Sequence, residues 1–164
     1  MPVKHQPIAL SIAGVDSSGG AGVAVDLATF SALGVQGKCV VTAVTAQSSK
    51  AIWGVQGTRP TMITAQLEAA LSEHPPQVAK CGMLYSGGVV EAVAEFWGQR
   101  RTPLVVDPVL AASSGAPLLN PAGVRALKRR LLPLATVVTP NVPEAEALTG
   151  LSLKTHQDLR QGAR

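Results

Sequence analysis

Two sets of residues in this chain have the types and spacing that chemistry requires. The first is Gly14-Val15-Asp16-Ser17-Ser18-Gly19-Gly20-Ala21-Gly22, with four glycines and two serines in nine residues. Glycine allows positive φ and lets backbone N–H groups come close to a ligand. If a helix follows, its first N–H groups and dipole favour an anion at the same place. The stretch matches neither the P-loop pattern nor Gly-x-Gly-x-x-Gly, so a ligand loop and a tight strand-to-helix connection both remain open readings.

The second set is scattered in sequence, but each member stands at the end of an apolar run. Gln47 offers an amide donor and acceptor, as the edge of a heteroaromatic ring requires, or it bonds nearby backbone. Met83, after Lys80-Cys81-Gly82, either covers an apolar ring or fills core. Lys80 is a phosphate contact or a solvated cation. Asp107 precedes Pro108, and Asn141-Val142-Pro143-Glu144 spaces an amide and a carboxylate three apart at a helix start. Such oxygens suit magnesium beside a nucleotide phosphate. They equally suit a capping box, with Asn141 as cap and Glu144 reaching back. Asp26, one turn into the first helix, fits a carboxylate stabilised by the dipole.

The elements that must position these groups follow from apolar periodicity. Strands are expected at Ile8 to Ala13, Cys39 to Ala46, Val78 to Gly82, Leu104 to Val106 and Ala135 to Val138. Helices are expected from Gly22 to Gly34, after Pro60, across Val89 to Trp97, after Asn120-Pro121 and from near Pro143, with another start at Thr155. Strands that are apolar throughout, alternating with helices, imply a parallel sheet of five strands covered on both faces. In such sheets ligands bind beyond the carboxyl ends of the strands. Gly14 to Gly22, Gln47, Met83, Asp107 to Gly115 and Asn141 to Glu144 are therefore expected along one edge.

Composition narrows the function classes. With 164 residues, 46% hydrophobic and 15% charged, the chain suits one well-buried α/β domain and not a disordered segment. No apolar run reaches the length of a membrane span and no secretory signal is read, so a cytoplasmic protein is expected. The net charge of +4 is dispersed, with Arg100-Arg101 and Lys128-Arg129-Arg130 near helix ends, and aromatics are only 3% of residues. Both features weigh against a nucleic-acid partner. His5, His74 and His156 stand singly, which gives no metal cluster. Cys39 and Cys81 read as buried reduced thiols.

Taken in order, Ala13 to Gly22 with Asp26, Thr29-Phe30-Ser31-Ala32-Leu33-Gly34, Thr42-Ala43-Val44-Thr45-Ala46-Gln47, Lys80-Cys81-Gly82-Met83-Leu84, Asp107-Pro108-Val109 and Thr139-Pro140-Asn141-Val142-Pro143-Glu144-Ala145-Glu146 resemble the hydroxymethylpyrimidine and phosphomethylpyrimidine kinases of thiamine biosynthesis, within the ribokinase-like family. The resemblance runs from about Ile8 to Gly150. It implies a ribokinase-like three-layer α/β/α fold with a mainly parallel sheet and the C-terminal part missing. The activity it implies is ATP-dependent phosphorylation of 4-amino-5-hydroxymethyl-2-methylpyrimidine and then of its monophosphate.

Gly14, Asp26, Gln47, Met83 and Val109 would form the pyrimidine pocket. Asn141 and Glu144 would lie on the nucleotide side, and Asp107 and Glu144 on the Mg2+ side. The catalytic Asp or Cys of the family's anion hole would fall beyond Arg164, so the chain reads as one incomplete kinase domain or a pyrimidine-binding module. Three departures touch the site: Ser48 to Gly54 is longer than the usual family loop, Ser113 stands where lysine is common, and Ala116 replaces a common aspartate. An uncovered sheet edge in such a domain makes a homodimer an expected partner state.

Overall fold

The computed structural model describes residues 6–112 and 114–163; Ser113, His5 and Arg164 lie outside the described residues. Its elements run β1 (Ile8–Asp16), α1 (Gly22–Ala32), β2 (Gln36–Gln47), β3 (Ile52–Gly57), α2 (Pro60–Ser72), β4 (Val78–Cys81), α3 (Gly87–Trp97), β5 (Leu104–Val106), α4 (Pro121–Ala126), β6 (Val137–Val138), α5 (Val142–Thr149) and α6 (His156–Gly162). A π-helical turn at Leu127–Leu131 and a 3-10 turn at Leu132–Leu134 extend α4. The sheet order is β3-β2-β1-β4-β5-β6. All neighbours are parallel except β3, which runs antiparallel to β2.

That sixth strand corrects the expectation of five. Residues 48–51 reverse the chain, with Ser48 N donating to Ala51 O at 2.9 Å and Lys50 N to Ser48 Oγ at 3.2 Å. The segment read as a lengthened loop is thus a hairpin, and its second strand pairs Ile52 with Gln47 and Gly54 with Ala46. The reversal is possible because an antiparallel neighbour needs only a short turn, whereas a parallel one needs a crossover.

Alternation along the strands divides the two faces. Leu10, Ile12 and Val40 enter one core with Ile63 and Leu67 of α2, Val89, Val90, Val93 and Trp97 of α3, and Leu127 and Leu131 beyond α4. The opposite face carries the row Cys39, Ser11, Lys80, Val105 and Val137, in register across β2, β1, β4, β5 and β6. On that side α1 packs against β1 and β2. Helices therefore lie on both faces, but unevenly.

Two consequences follow on the α1 side. Cys39 is exposed, which corrects its reading as a buried thiol; Cys81, on the covered face, is buried and its thiol is pushed up to about 12 by desolvation. Val137 on β6 is left 49% exposed. Among the described residues no helix is long and apolar enough to cross a membrane.

Candidate active site

The strand order reverses direction between β1 and β4, and an open α/β sheet of this kind has its crevice at that point. A cleft of about 470 Å³ lies there, within the size range of small-molecule sites. It is lined by the glycine loop after β1, Gln47 and Ser48 after β2, Gly82 and Met83 after β4, and Asp107, Val109 and Ala112 after β5. Four strand ends thus meet at one rim, as the edge rule requires.

Local sequence explains how each wall is built. Asp16 is buried and accepts from both Ser18 N and Ser18 Oγ at 2.8 Å, an Asx turn that folds the loop back over the end of β1. Gly22 opens α1 at φ 66°, and a Cβ there would strike the Gly14 carbonyl. Only glycine allows this approach. A Cβ on Gly14 would in turn meet Met83 Sδ at 2.9 Å, so the β1 backbone lies directly against the methionine side chain.

Met83 is 8% exposed and joins a small apolar group with Ala43 and Leu118, flanked by Ile52, Tyr85, Val109 and Ala112. Its carbonyl accepts from the buried Thr42 hydroxyl at 2.6 Å. This group gives the cleft an apolar wall. Gln47 faces it with a polar amide, whose Nε2 donates weakly to Asp16 Oδ2 at 3.4 Å and whose Oε1 accepts from Thr45 Oγ1 at 3.2 Å. These long contacts are weak bonds, so the amide has capacity for a ligand. The Gln47 backbone is fixed more firmly: Ser17 Oγ donates to Gln47 O at 3.0 Å while accepting from Gln47 N at 2.9 Å.

The charged groups divide differently from the expected pattern. Asp26 does not line the cleft. One of its carboxylate oxygens accepts from Ser11 Oγ at 2.6 Å, and both oxygens accept from Lys80 Nζ at 2.9 and 3.1 Å. Lys80 does line the cleft, with its ammonium 3.9 Å from Asp107 Oδ2. A single lysine therefore stands between a carboxylate behind the wall and one at the rim, paired and only partly open to water. Burial raises the Asp107 carboxyl above its ordinary pKa; Lys80 opposes that shift, and the charges of Glu144 and Asp26 add to it.

Asn141 and Glu144 form the capping box of α5: Glu144 N donates to Asn141 Oδ1 at 2.9 Å and Asn141 N to Glu144 Oε2 at 3.0 Å. Neither lines the cleft, although the Glu144 charge is felt at Asp107. Among the described residues no three His, Cys, Asp or Glu side chains converge to hold a metal ion.

The pattern of the Phosphomethylpyrimidine kinase family matches residues 16–164, most of the chain. The chain belongs to the phosphomethylpyrimidine kinase family. Its similarity to the hydroxymethylpyrimidine/phosphomethylpyrimidine kinase of Synechococcus elongatus is 44% identity over 158 residues, covering 96% of this chain and 60% of that protein. The solved phosphomethylpyrimidine kinase of Clostridium difficile superposes with a TM-score of 0.90 at 40% identity, over 96% of this chain and 68% of that one.

The pyridoxal kinase of Staphylococcus aureus in complex with AMP-PCP and pyridoxal superposes with a TM-score of 0.84 at 34% identity, over 96% of this chain and 57% of that one. The phosphomethylpyrimidine kinase fold is thus shared with ribokinase-like vitamin kinases. The chain spans 60% and 58% of the length of two curated kinase relatives, and 32% of a bifunctional thiamine biosynthesis protein of Geobacter sulfurreducens.

Three features of the cleft go beyond the expected pattern: the Asp16 turn, Ile52 in the wall, and the pairing of Lys80 with Asp26. Asp16 gave a signal, since aspartate two residues before serine marks an Asx turn. Ile52 and the Lys80–Asp26 pair gave none, because a hairpin without strong turn residues and a contact between residues 54 apart leave no local trace.

Proposed function

We propose that this chain binds 4-amino-5-hydroxymethyl-2-methylpyrimidine in the cleft and serves its ATP-dependent phosphorylation, first at the hydroxymethyl group and then at the resulting monophosphate. The observation that carries the reading is the convergence of Gly14, Gln47, Met83 and Val109 on one cleft whose rim holds Asp107. Met83 and Val109 supply apolar surface for a flat ring, Gln47 supplies a donor and an acceptor for its nitrogen edge, and the Gly14 backbone allows close approach. In this reading Asp26 acts from behind the wall by holding Lys80.

The reaction joins the substrate hydroxyl oxygen to the γ-phosphorus of ATP and breaks the bond to the β–γ bridging oxygen. ADP leaves and the hydroxyl proton passes to base. Catalysis of this kind is mainly positioning and charge neutralisation. Magnesium fits the donor set in a restricted way. Asp107 is a hard oxygen donor whose ionised form is disfavoured first by burial and then by the charges of Glu144 and Asp26, with Lys80 opposing them; a divalent cation would add to the help Lys80 gives. With no three-ligand group converging among the described residues, Asp107 would face an ion carried mostly by water and nucleotide phosphate, and Glu144, held in the α5 cap, would add its charge from outside the cleft. The ion would supply charge neutralisation at the transferred phosphoryl group.

Residues 1–164 would thus form the substrate-binding portion of a kinase domain, working in the cytoplasm where thiamine precursors and ATP meet. A second reading is a pyrimidine-binding module without transfer, favoured by a phosphate side in which Lys80 is the one lysine or arginine among the described residues that line the cleft. Calorimetry with the hydroxymethylpyrimidine followed by an ADP-release assay separates the two. Binding with ADP release supports the kinase, binding alone supports the module, and no binding removes both.

A further inference from the structure

Tyr85 sits in the left-handed region, at φ 68°, directly between the cleft wall and α3. Ser86 N donates to Leu84 O at 2.8 Å, so Tyr85 is the centre of a three-residue γ-turn with positive φ. This form is rare and strained for a side-chain-bearing residue, and glycine would adopt it at lower cost. Such strain persists only where the surroundings hold it.

What holds it here is the ring. A Cβ added to Gly57, the last residue of β3, would run into Tyr85 Cδ1 and Cε1, so the ring edge lies flat against the strand backbone. The same ring packs beside Met83, Ala43 and Leu118, with Ile52 and Val55 of β3 closing over the group. Tyr85 itself does not line the cleft, but the hairpin it supports does so through Ser48, Ser49 and Ile52. Among the described residues no further strand pairs with β3 on its open side, so its place rests on the β2 ladder, on this ring and on the packing of Ile52 and Val55.

We propose that Tyr85 is a positioning residue that seats the β2–β3 hairpin over the cleft and thereby sets the grip on the ring-shaped ligand. The ligand half of this inference rests on the pyrimidine reading; the hairpin half does not.

The test uses the full chain with Tyr85→Gly, Tyr85→Phe and Gly57→Ala. Tyr85→Gly removes the ring while relieving the turn, so its melting temperature should fall by less than the loss of a packed ring from an unstrained position would cause. It should nevertheless speed amide exchange across residues 48–57 by about tenfold and weaken hydroxymethylpyrimidine binding by about threefold to tenfold, the scale of one lost aromatic contact. Tyr85→Phe, which keeps the ring, should retain both properties. Gly57→Ala, which pushes the strand off the ring, should reproduce the loss even if the Tyr85→Gly chain fails to fold. Wild-type exchange in both glycine-centred variants, or a Tyr85→Phe chain as impaired as Tyr85→Gly, would overturn the proposal. If the wild-type chain takes up no pyrimidine, the functional reading falls, and the exchange data alone decide the role of Tyr85.

Discussion

The Lys80 ammonium lies 2.9 Å from Asp26 Oδ1, joining the middle of β4 to α1 across 54 residues of sequence. The pair is mostly buried, with 28% of the lysine and 13% of the aspartate side chain exposed. Removing one partner leaves the other charge badly solvated, the situation in which an ion pair matters most. Asp26→Ala should therefore destabilise the chain by about 2 kcal/mol in urea unfolding, less than a fully buried pair because the lysine keeps contact with water. A loss under about 0.5 kcal/mol would reduce the pair to a surface contact.

Asp107 gives a pH prediction of opposite sign to the usual carboxylate. Its folded pKa is raised, so its contribution to stability is present below the unfolded value and is lost as pH rises through the folded value. At neutral pH the ionised group opposes folding. Asp107→Asn should stabilise the chain at pH 7 and be near neutral at pH 3, while removing any binding of magnesium–nucleotide. Urea midpoints at the two pH values, with and without magnesium and ATP, check both halves.

Gly22→Ala places a side chain at φ 66° and drives it into the Gly14 carbonyl. The expected cost is roughly 2–4 kcal/mol, from backbone strain and displacement of the glycine loop. Gly34 also has positive φ, but a Cβ there meets nothing within 4 Å, so Gly34→Ala should cost only about 1 kcal/mol. Equal effects in parallel denaturation curves would remove the steric argument.

Gln47→Ala deletes the amide but keeps the backbone pairing with Ser17. The fold should survive, and hydroxymethylpyrimidine affinity should fall by about tenfold, the worth of one hydrogen bond. Unchanged affinity by calorimetry would take the amide out of the ring pocket.

Among the described residues β6 ends the sheet, with Val137 exposed on the α1 face and Val138 exposed on the opposite face. Such edges favour association, and any homodimer formed by this chain would use this one. Val137→Lys should shift sedimentation toward monomer; an unmoved profile would place any contact elsewhere.

The rim was legible in the sequence because each of its residues follows an apolar run or opens a helix, so strand order alone carries it to the same edge. Gly14, Gln47, Met83, Asp107 and Val109 meet there. Asn141 and Glu144 were legible as a cap for the same local reason, and the cap is what they form. β3 was not legible: Ile-Trp-Gly-Val-Gln-Gly alternates poorly and its two glycines read as loop. Nor was the exposure of Cys39, which depends on how far α1 extends over the sheet and not on the strand's own composition.

The Ser17 hydroxyl, bonded both ways to the Gln47 backbone, acts as a buckle between two loops that come from different strands. Tension applied at one is transmitted to the other without a hinge between them. The end of β2 and the glycine-rich lip therefore keep one spacing, whichever way the Gln47 amide turns.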